Sequence, residues 1–213
     1  MVLLRKIKGR VIGAALCYSG NYKLRIDTDD SDYHQFYAGI NEENSSYTLP
    51  KGTVFQTPAV ALTYSNEGLS GASRNFHKWG RTYKLAHGNT VRDILLNSWE
   101  GVYFDINQKG MDQMMGDIAS MGGELFVMDD GWFGDKYPRK NDSSSLGDWV
   151  VDKNKLPEGI EGLIRDAKKH GIKFGIWIEP EMANTTSELY EKHPEWILKA
   201  PQRDQYWDVE VHK

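Results

Sequence analysis

The sequence predicts an α/β fold, read as the first three βα units of an incomplete (β/α)8 TIM barrel preceded by part of a β-sandwich domain. Three observations predict it. Hydrophobic residues alternate with a period of two in the first part of the chain, then give way to short apolar runs separated by helical stripes. One apolar run, Leu125-Phe126-Val127-Met128, ends abruptly in Asp129-Asp130-Gly131-Trp132. Another, residues 173 to 178, ends in Glu179-Pro180-Glu181-Met182. Short apolar runs bounded by turn residues fit strands buried on both faces of a parallel sheet. Polar groups at several strand ends converge on one mouth in a barrel. An open doubly wound sheet would also place ligands there. No Gly-x-Gly-x-x-Gly or phosphate loop follows any strand, which weakens the nucleotide-binding version of that alternative.

Residues 1 to 88 are assigned to the C-terminal part of a β-sandwich plus a linker helix. Residues 15 to 27 carry Tyr22, Leu24 and Ile26 alternating with Lys23 and Arg25, the pattern of a half-buried strand with Ser19-Gly20-Asn21 as a turn or bulge. Residues 36 to 40 read as a second strand. Residues 53 to 64 read as a third, with Pro58 marking an edge or a bend. Leu69, Ala72, Phe76 and Trp79 then recur at helical spacing, predicting a helix over 67 to 83. So few strands do not close a sandwich, so further strands are expected upstream of Met1.

Residues 89 to 213 are assigned to the first part of the barrel. Its first strand is expected at residues 102 to 105, with Asn97-Ser98-Trp99-Glu100 leading in. A helix over 109 to 121 buries a stripe of Met111, Met114, Met115, Ile118 and Met121, and Gly122-Gly123 stops it. The second strand is 124 to 128. A long loop spans 130 to 157. A helix over 158 to 170, a strand over 173 to 178 and a helix over roughly 186 to 193 complete three units. Residues 90 to 213 are about half of the ~250 that such a barrel needs.

Composition excludes several classes. Hydrophobic residues make up 39% and charged residues 26%, ordinary values for a globular protein. The net charge of −4 leaves no basic footprint and argues against nucleic acid. No apolar stretch is long enough to span a membrane. The single Cys17 rules out an internal disulfide or a cysteine metal cluster. Arg5, Lys6, Lys8 and Arg10 ahead of Val11-Ile12-Gly13-Ala14-Ala15-Leu16-Cys17 loosely mimic a leader, but the apolar part is short and runs straight on into a strand pattern. A cytoplasmic location is therefore favoured. Asp129, Asp130, Glu179 and Glu181 are hard oxygen ligands in type, yet no His joins them at ligand spacing, so no metal is expected.

The motifs Asp129-Asp130-Gly131-Trp132-Phe133-Gly134, Ser145-Leu146-Gly147-Asp148-Trp149 and Gly175-Ile176-Trp177-Ile178-Glu179-Pro180-Glu181-Met182 resemble those of the bacterial α-galactosidases of glycoside hydrolase family 36. Asn97-Ser98-Trp99-Glu100, His193-Pro194-Glu195-Trp196 and Tyr18-Ser19-Gly20-Asn21 extend the match. The resemblance implies retaining hydrolysis of terminal α-galactosides such as melibiose and raffinose. It implies that Asp129 and Asp130 bind the galactose O4 and O6 hydroxyls and that Trp99 forms an aromatic wall, with Trp177 either a second wall or core packing inside its strand. Glu179 and Glu181 fit a supporting role, Trp132 either a wall or a loop anchor, and Asp148 loop structure. The resemblance implies no cofactor, a small-molecule α-galactoside as partner and homo-oligomers of the full-length enzymes. The family's nucleophile follows a Lys-Trp on a later strand. The only Lys-Trp here, Lys78-Trp79, sits in the early helix and is followed by Gly80. No catalytic residue is assigned, and the chain by itself is expected to be inactive. After Ala200 the likeness fades: Arg203 is only faintly similar to a sugar-binding arginine, and a truncated or frameshifted product, or a fragment of a longer chain, is expected. A non-catalytic galactoside-binding fragment and a related α-N-acetylgalactosaminidase are the alternatives.

Overall fold

The structure, a computed structural model, describes residues 2–7, 9–43, 45–197 and 211–212. The chain divides into two compact units, residues 1–91 and 92–213.

In the first unit, strands β1 (Val2–Ile7), β2 (Arg10–Leu16) and β5 (Val60–Ser65) form an antiparallel sheet in the order β1-β2-β5. Strands β3 (Tyr22–Thr28) and β4 (His34–Ile40) form a separate hairpin, registered from Tyr22 opposite Ile40 to Thr28 opposite His34. Its turn is closed by the Asp29 carboxylate, which accepts from the Ser31 and Tyr33 amides at 2.9 and 3.0 Å. Helix α1 (Gly68–Trp79) packs on β2 where Gly13 has no side chain: a Cβ there would sit 2.9 Å from the Phe76 ring. Asn75 Nδ2 ties the helix to β5 through Thr63 Oγ1 and the Tyr64 carbonyl. A π-helical turn, Gly80–Lys84, follows.

Two expectations for this unit need correction. The strand expected over 15 to 27 is two strands in two sheets, because the chain leaves β2 at Cys17 and restarts at Tyr22. The leader-like run is the central strand β2, with Val11 and Ala14 fully buried. The strand expected over 53 to 64 starts only at Val60. Upstream, Thr53 turns back on Pro50, whose carbonyl takes both its amide and its hydroxyl, and Pro58 has no amide to give a ladder.

In the second unit, β6 (Leu95–Asn97), β7 (Leu125–Met128) and β8 (Lys173–Ile176) form a parallel sheet in that order. Leu95, Leu125 and Lys173 stand side by side across it. Helix α3 (Gln108–Ser120) connects β6 to β7, and α4 (Gly159–Lys169) connects β7 to β8. Asn107 caps α3 by accepting from the Gly110 amide at 2.8 Å. Met111, Met115 and Ile118 of α3, Leu163 and Ala167 of α4, and Phe126 and Met128 of β7 form one buried cluster. Leu125 and Val127, on the opposite face of β7, are only half-buried, so burial on both faces is uneven. After β8 come a short strand β9 (Met182–Ala183), α5 (Glu188–Lys192), a 3-10 turn at Pro194–Trp196 and β10 (Val211–His212), which pairs antiparallel with β9. The Asp148 carboxylate caps α5, accepting from the Glu188 and Leu189 amides at 2.8 and 2.9 Å.

The first strand of this unit is not at 102 to 105. It lies earlier, at Leu95–Asn97, and α2 (Trp99–Val102) occupies part of the expected range. Asn97 ends the strand because its side chain accepts the Trp99 amide at 2.7 Å and turns the chain. Met121 is 73% exposed and leaves the buried stripe, since the chain reverses at Gly122, whose φ is +87°.

Truncating Leu163 to Ala is expected to cost about 2–5 kcal/mol in urea unfolding, against under ~0.5 kcal/mol for Met121→Ala. Asp148→Ala removes a helix cap and should cost about 1 kcal/mol in the same measurement.

Candidate functional site

The carboxyl end of β7 is built from its neighbour. Ser98, fully buried beyond the end of β6, donates its amide to the Val127 carbonyl at 3.0 Å, and its hydroxyl accepts the Asp129 amide at 2.9 Å. Asn97 Nδ2 donates to Asp129 Oδ2 at 2.6 Å while Asn97 Oδ1 holds the Trp99 amide. Asp129 Oδ1 accepts the amide of Asp130 at 2.8 Å. Each carboxylate oxygen of half-buried Asp129 therefore has a defined partner and keeps lone-pair capacity for another donor.

The two adjacent acids do not share one environment. Asp130 is 5% exposed and turns inward onto Arg139, itself 1% exposed. Arg139 Nε donates to Asp130 Oδ1 at 2.9 Å, with a longer 3.2 Å approach to Oδ2, and one terminal nitrogen donates to Oδ2 at 2.7 Å. The other terminal nitrogen donates to the Ser144 carbonyl and to Asn184 Oδ1. The guanidinium also lies over the Phe104 and Phe133 rings. A buried guanidinium needs a carboxylate, which draws Asp130 off the surface. The turn that separates the acids requires glycine: Gly131 has φ +106°, and a Cβ would sit 2.9 Å from Phe104 Cα. Lys155 Nζ donates to the carbonyls of Phe104, Gly131 and Arg139 at 2.8, 2.7 and 2.9 Å. Burial holds this ammonium below the ordinary lysine range, opposed by the charges of Asp152, Asp105 and Asp130.

Trp99 is half-buried at the start of α2 and meets Tyr103 and Phe104 edge-on. Trp177 is half-buried just beyond β8, where its amide donates to the Met128 carbonyl, so it extends the sheet bonding toward the acid pair. Trp177 meets Trp149 in a T-shaped contact. Trp132 is buried, and its Nε1 donates to the Trp177 carbonyl at 3.1 Å, which makes it the anchor of the long loop. Glu179 is half-buried and Glu181 exposed on the segment after β8. Arg203 lies outside the described residues. Sequence reasoning did not find Arg139, Lys155 or Asn184. They sit in irregular segments with no periodicity, among other polar and charged residues such as Lys136, Lys140, Lys153 and Thr185, so nothing local singles them out.

Comparison with known proteins agrees with these motifs. Residues 54–209 match the melibiase family model, and residues 5–50 match the glycosyl hydrolase family 36 N-terminal domain. The α-galactosidase AgaA of Geobacillus stearothermophilus is 43% identical over 199 residues, covering 92% of this chain and 27% of its own length. Alpha-galactosidase 1 of Pediococcus pentosaceus is 38% identical over 200 residues, covering 93% of this chain and 27% of its own length. The crystal structure of AgaA superimposes with a TM-score of 0.89 at 40% identity, over 96% of this chain and 29% of that one. This chain thus spans about a quarter of the length of the relatives it matches. It is a member of glycoside hydrolase family 36.

Proposed function

We propose that this chain forms the galactoside-binding part of an α-galactosidase acting on terminal α-D-galactosyl residues by a retaining mechanism. The observation that carries it is the Asp129 carboxylate, held at the end of a central parallel strand by Asn97 and by the Asp130 amide, with acceptor capacity left over. Sugar hydroxyls are donors, and an ionised carboxylate is the strongest acceptor a side chain offers them. Asp130, whose Oδ1 is engaged less fully than its Oδ2, is read as the second acceptor of the pair. Trp99 and Trp177 supply half-buried rings for the apolar face of the sugar. Relatives solved with raffinose and stachyose support an oligosaccharide as the ligand class.

On this reading residues 1–88 belong to the N-terminal β-sandwich domain with its linker helix, and residues 89–213 to the first part of a (β/α)8 barrel. The parallel order β6-β7-β8 and the strand-end acids support that assignment. Retaining hydrolysis uses two carboxyl groups about 5–5.5 Å apart, one attacking the anomeric carbon and one protonating the leaving oxygen and later activating water. The family's motifs for those two groups are not among these 213 residues, and Lys78-Trp79 lies in α1. The role proposed for this chain is therefore to bind and orient the sugar.

Calorimetric titration of the 213-residue chain with galactose tests the reading. Binding is expected, and Asp129→Ala should weaken it by about tenfold or more, since it removes charge-assisted hydrogen bonds. Equal affinity in the variant would overturn the assignment. Incubated with p-nitrophenyl α-galactoside, the same chain should release no nitrophenol above background; steady turnover would show that the reacting carboxyls are here after all.

A further inference from the structure

We infer that Arg139 and Lys155 are positioning residues for sugar binding: together they clamp the Asp130–Gly131 turn and so fix where the Asp129 carboxylate stands. The inference rests on the galactoside reading above and extends it to two side chains that touch no sugar.

The argument follows the hydrogen bonds outward from the sugar acid. Asp129 Oδ1 is set by the amide of Asp130, so any rotation of the Asp130 peptide moves the acceptor. That peptide is held from one side by its own carboxylate, gripped two-pronged by Arg139. Two peptides further along the same turn, the Gly131 carbonyl accepts from Lys155 and pins the turn at its far end. Lys155 also takes the carbonyl of Arg139 itself, so the second cation fixes the backbone that carries the first. The two residues therefore act in series, not side by side.

Stability alone does not explain this construction. An ion pair as dry as Asp130–Arg139 is often no better for the fold than well-packed apolar side chains of similar volume, because desolvation offsets most of the attraction. What a two-pronged guanidinium–carboxylate pair supplies beyond an apolar contact is a fixed orientation. The ammonium of Lys155 meets three backbone carbonyls from separate segments, which defines a point, where a hydrophobic side chain would define only a volume. Both devices converge on the one turn that joins the two acids. Binding groups need to be held to about 0.5 Å, and a rigid supporting shell is the means.

The test is a double-mutant cycle on galactose affinity, with thermal unfolding and hydrogen exchange measured on the same proteins. Arg139→Met should weaken galactose binding about tenfold in the otherwise native chain, and by less than about twofold when Asp130→Asn is already present. Arg139→Lys, which keeps the charge but not the fork, should fall between. A purely structural role would lower the unfolding temperature and leave affinity unchanged, or weaken it by the same factor in both backgrounds; either result overturns the inference. Arg139→Lys and Lys155→Met also keep the question answerable if Arg139→Met does not fold. In both, amides in the peptide spanning residues 129–131 should exchange at least about tenfold faster while those of α3 hold their rates. Unchanged exchange, or faster exchange throughout, counts against the clamp. If the native chain binds no galactose, the galactoside reading falls, and the exchange pattern alone decides whether the clamp exists.

Discussion

Strand β7 is hydrogen-bonded on both edges, and its pairing sets everything that happens at its end. Leu125 to Val127 align with Leu95 to Asn97 on one side, and Leu125 to Met128 with Lys173 to Ile176 on the other. Phe126 and Met128 point into the cluster formed with α3 and α4. Period-two geometry then dictates that a one-residue slip would turn both out of the core. Register is thereby fixed, and with it the depth at which the strand stops. The parallel arrangement brings the carboxyl ends of β6 and β8 alongside, so Asn97, Ser98 and Trp177 reach Asp129 and Met128 without any long excursion.

Beyond the strand, apolar packing no longer determines position, and polar groups take over. The loop from Asp130 onward bonds to itself through an antiparallel bridge of Phe133 with Val151 and through a cluster of Trp132, Phe133, Trp149 and Trp177. Inside it lie a buried arginine and a partly buried lysine. The lysine is satisfied by three carbonyls that an irregular backbone leaves without ladder partners, and the arginine by one such carbonyl, that of Ser144, together with the Asp130 carboxylate and Asn184 Oδ1. Long loops carry such carbonyls, and a cation with several donors can collect them from segments far apart in sequence. The arginine also reaches the segment after β9: Asn184 accepts from Arg139 and from the Leu146 amide, tying that segment to the middle of the loop.

Regular elements were legible wherever a stripe or an alternation ran long enough. Helices α3 and α4 fall within a residue of expectation at each end, α3 because methionine and isoleucine recur every three or four residues, and α4 because Leu156-Pro157 precedes it, with glycines following both. Strand β7 was legible because four apolar residues stop dead at two acids. Strand β6 was misplaced because Ile94-Leu95-Leu96 is no longer an apolar run than Val102-Tyr103-Phe104, and three residues carry too little pattern to choose between them. Of the site, Asp129, Asp130, Trp99 and Trp177 stood out by their place in motifs. Nothing local distinguished Asp130, whose carboxylate is gripped by a buried guanidinium, from Asp129, whose carboxylate is met by Asn97 and a backbone amide.

The sequence by itself determined the family, the alternation of strands and helices in the second unit and the acid pair closing its central strand, since these follow from hydrophobic period and from contiguous motifs. Tertiary structure alone decided which way each acid faces. Arg139 lies nine residues beyond Asp130, and Lys155 twenty-four beyond Gly131, with no regular element between to fix their approach. The direction of a side chain at the end of a strand is set by what the folded loop offers it, and a buried cation outbids water for a carboxylate only once the fold has excluded the water.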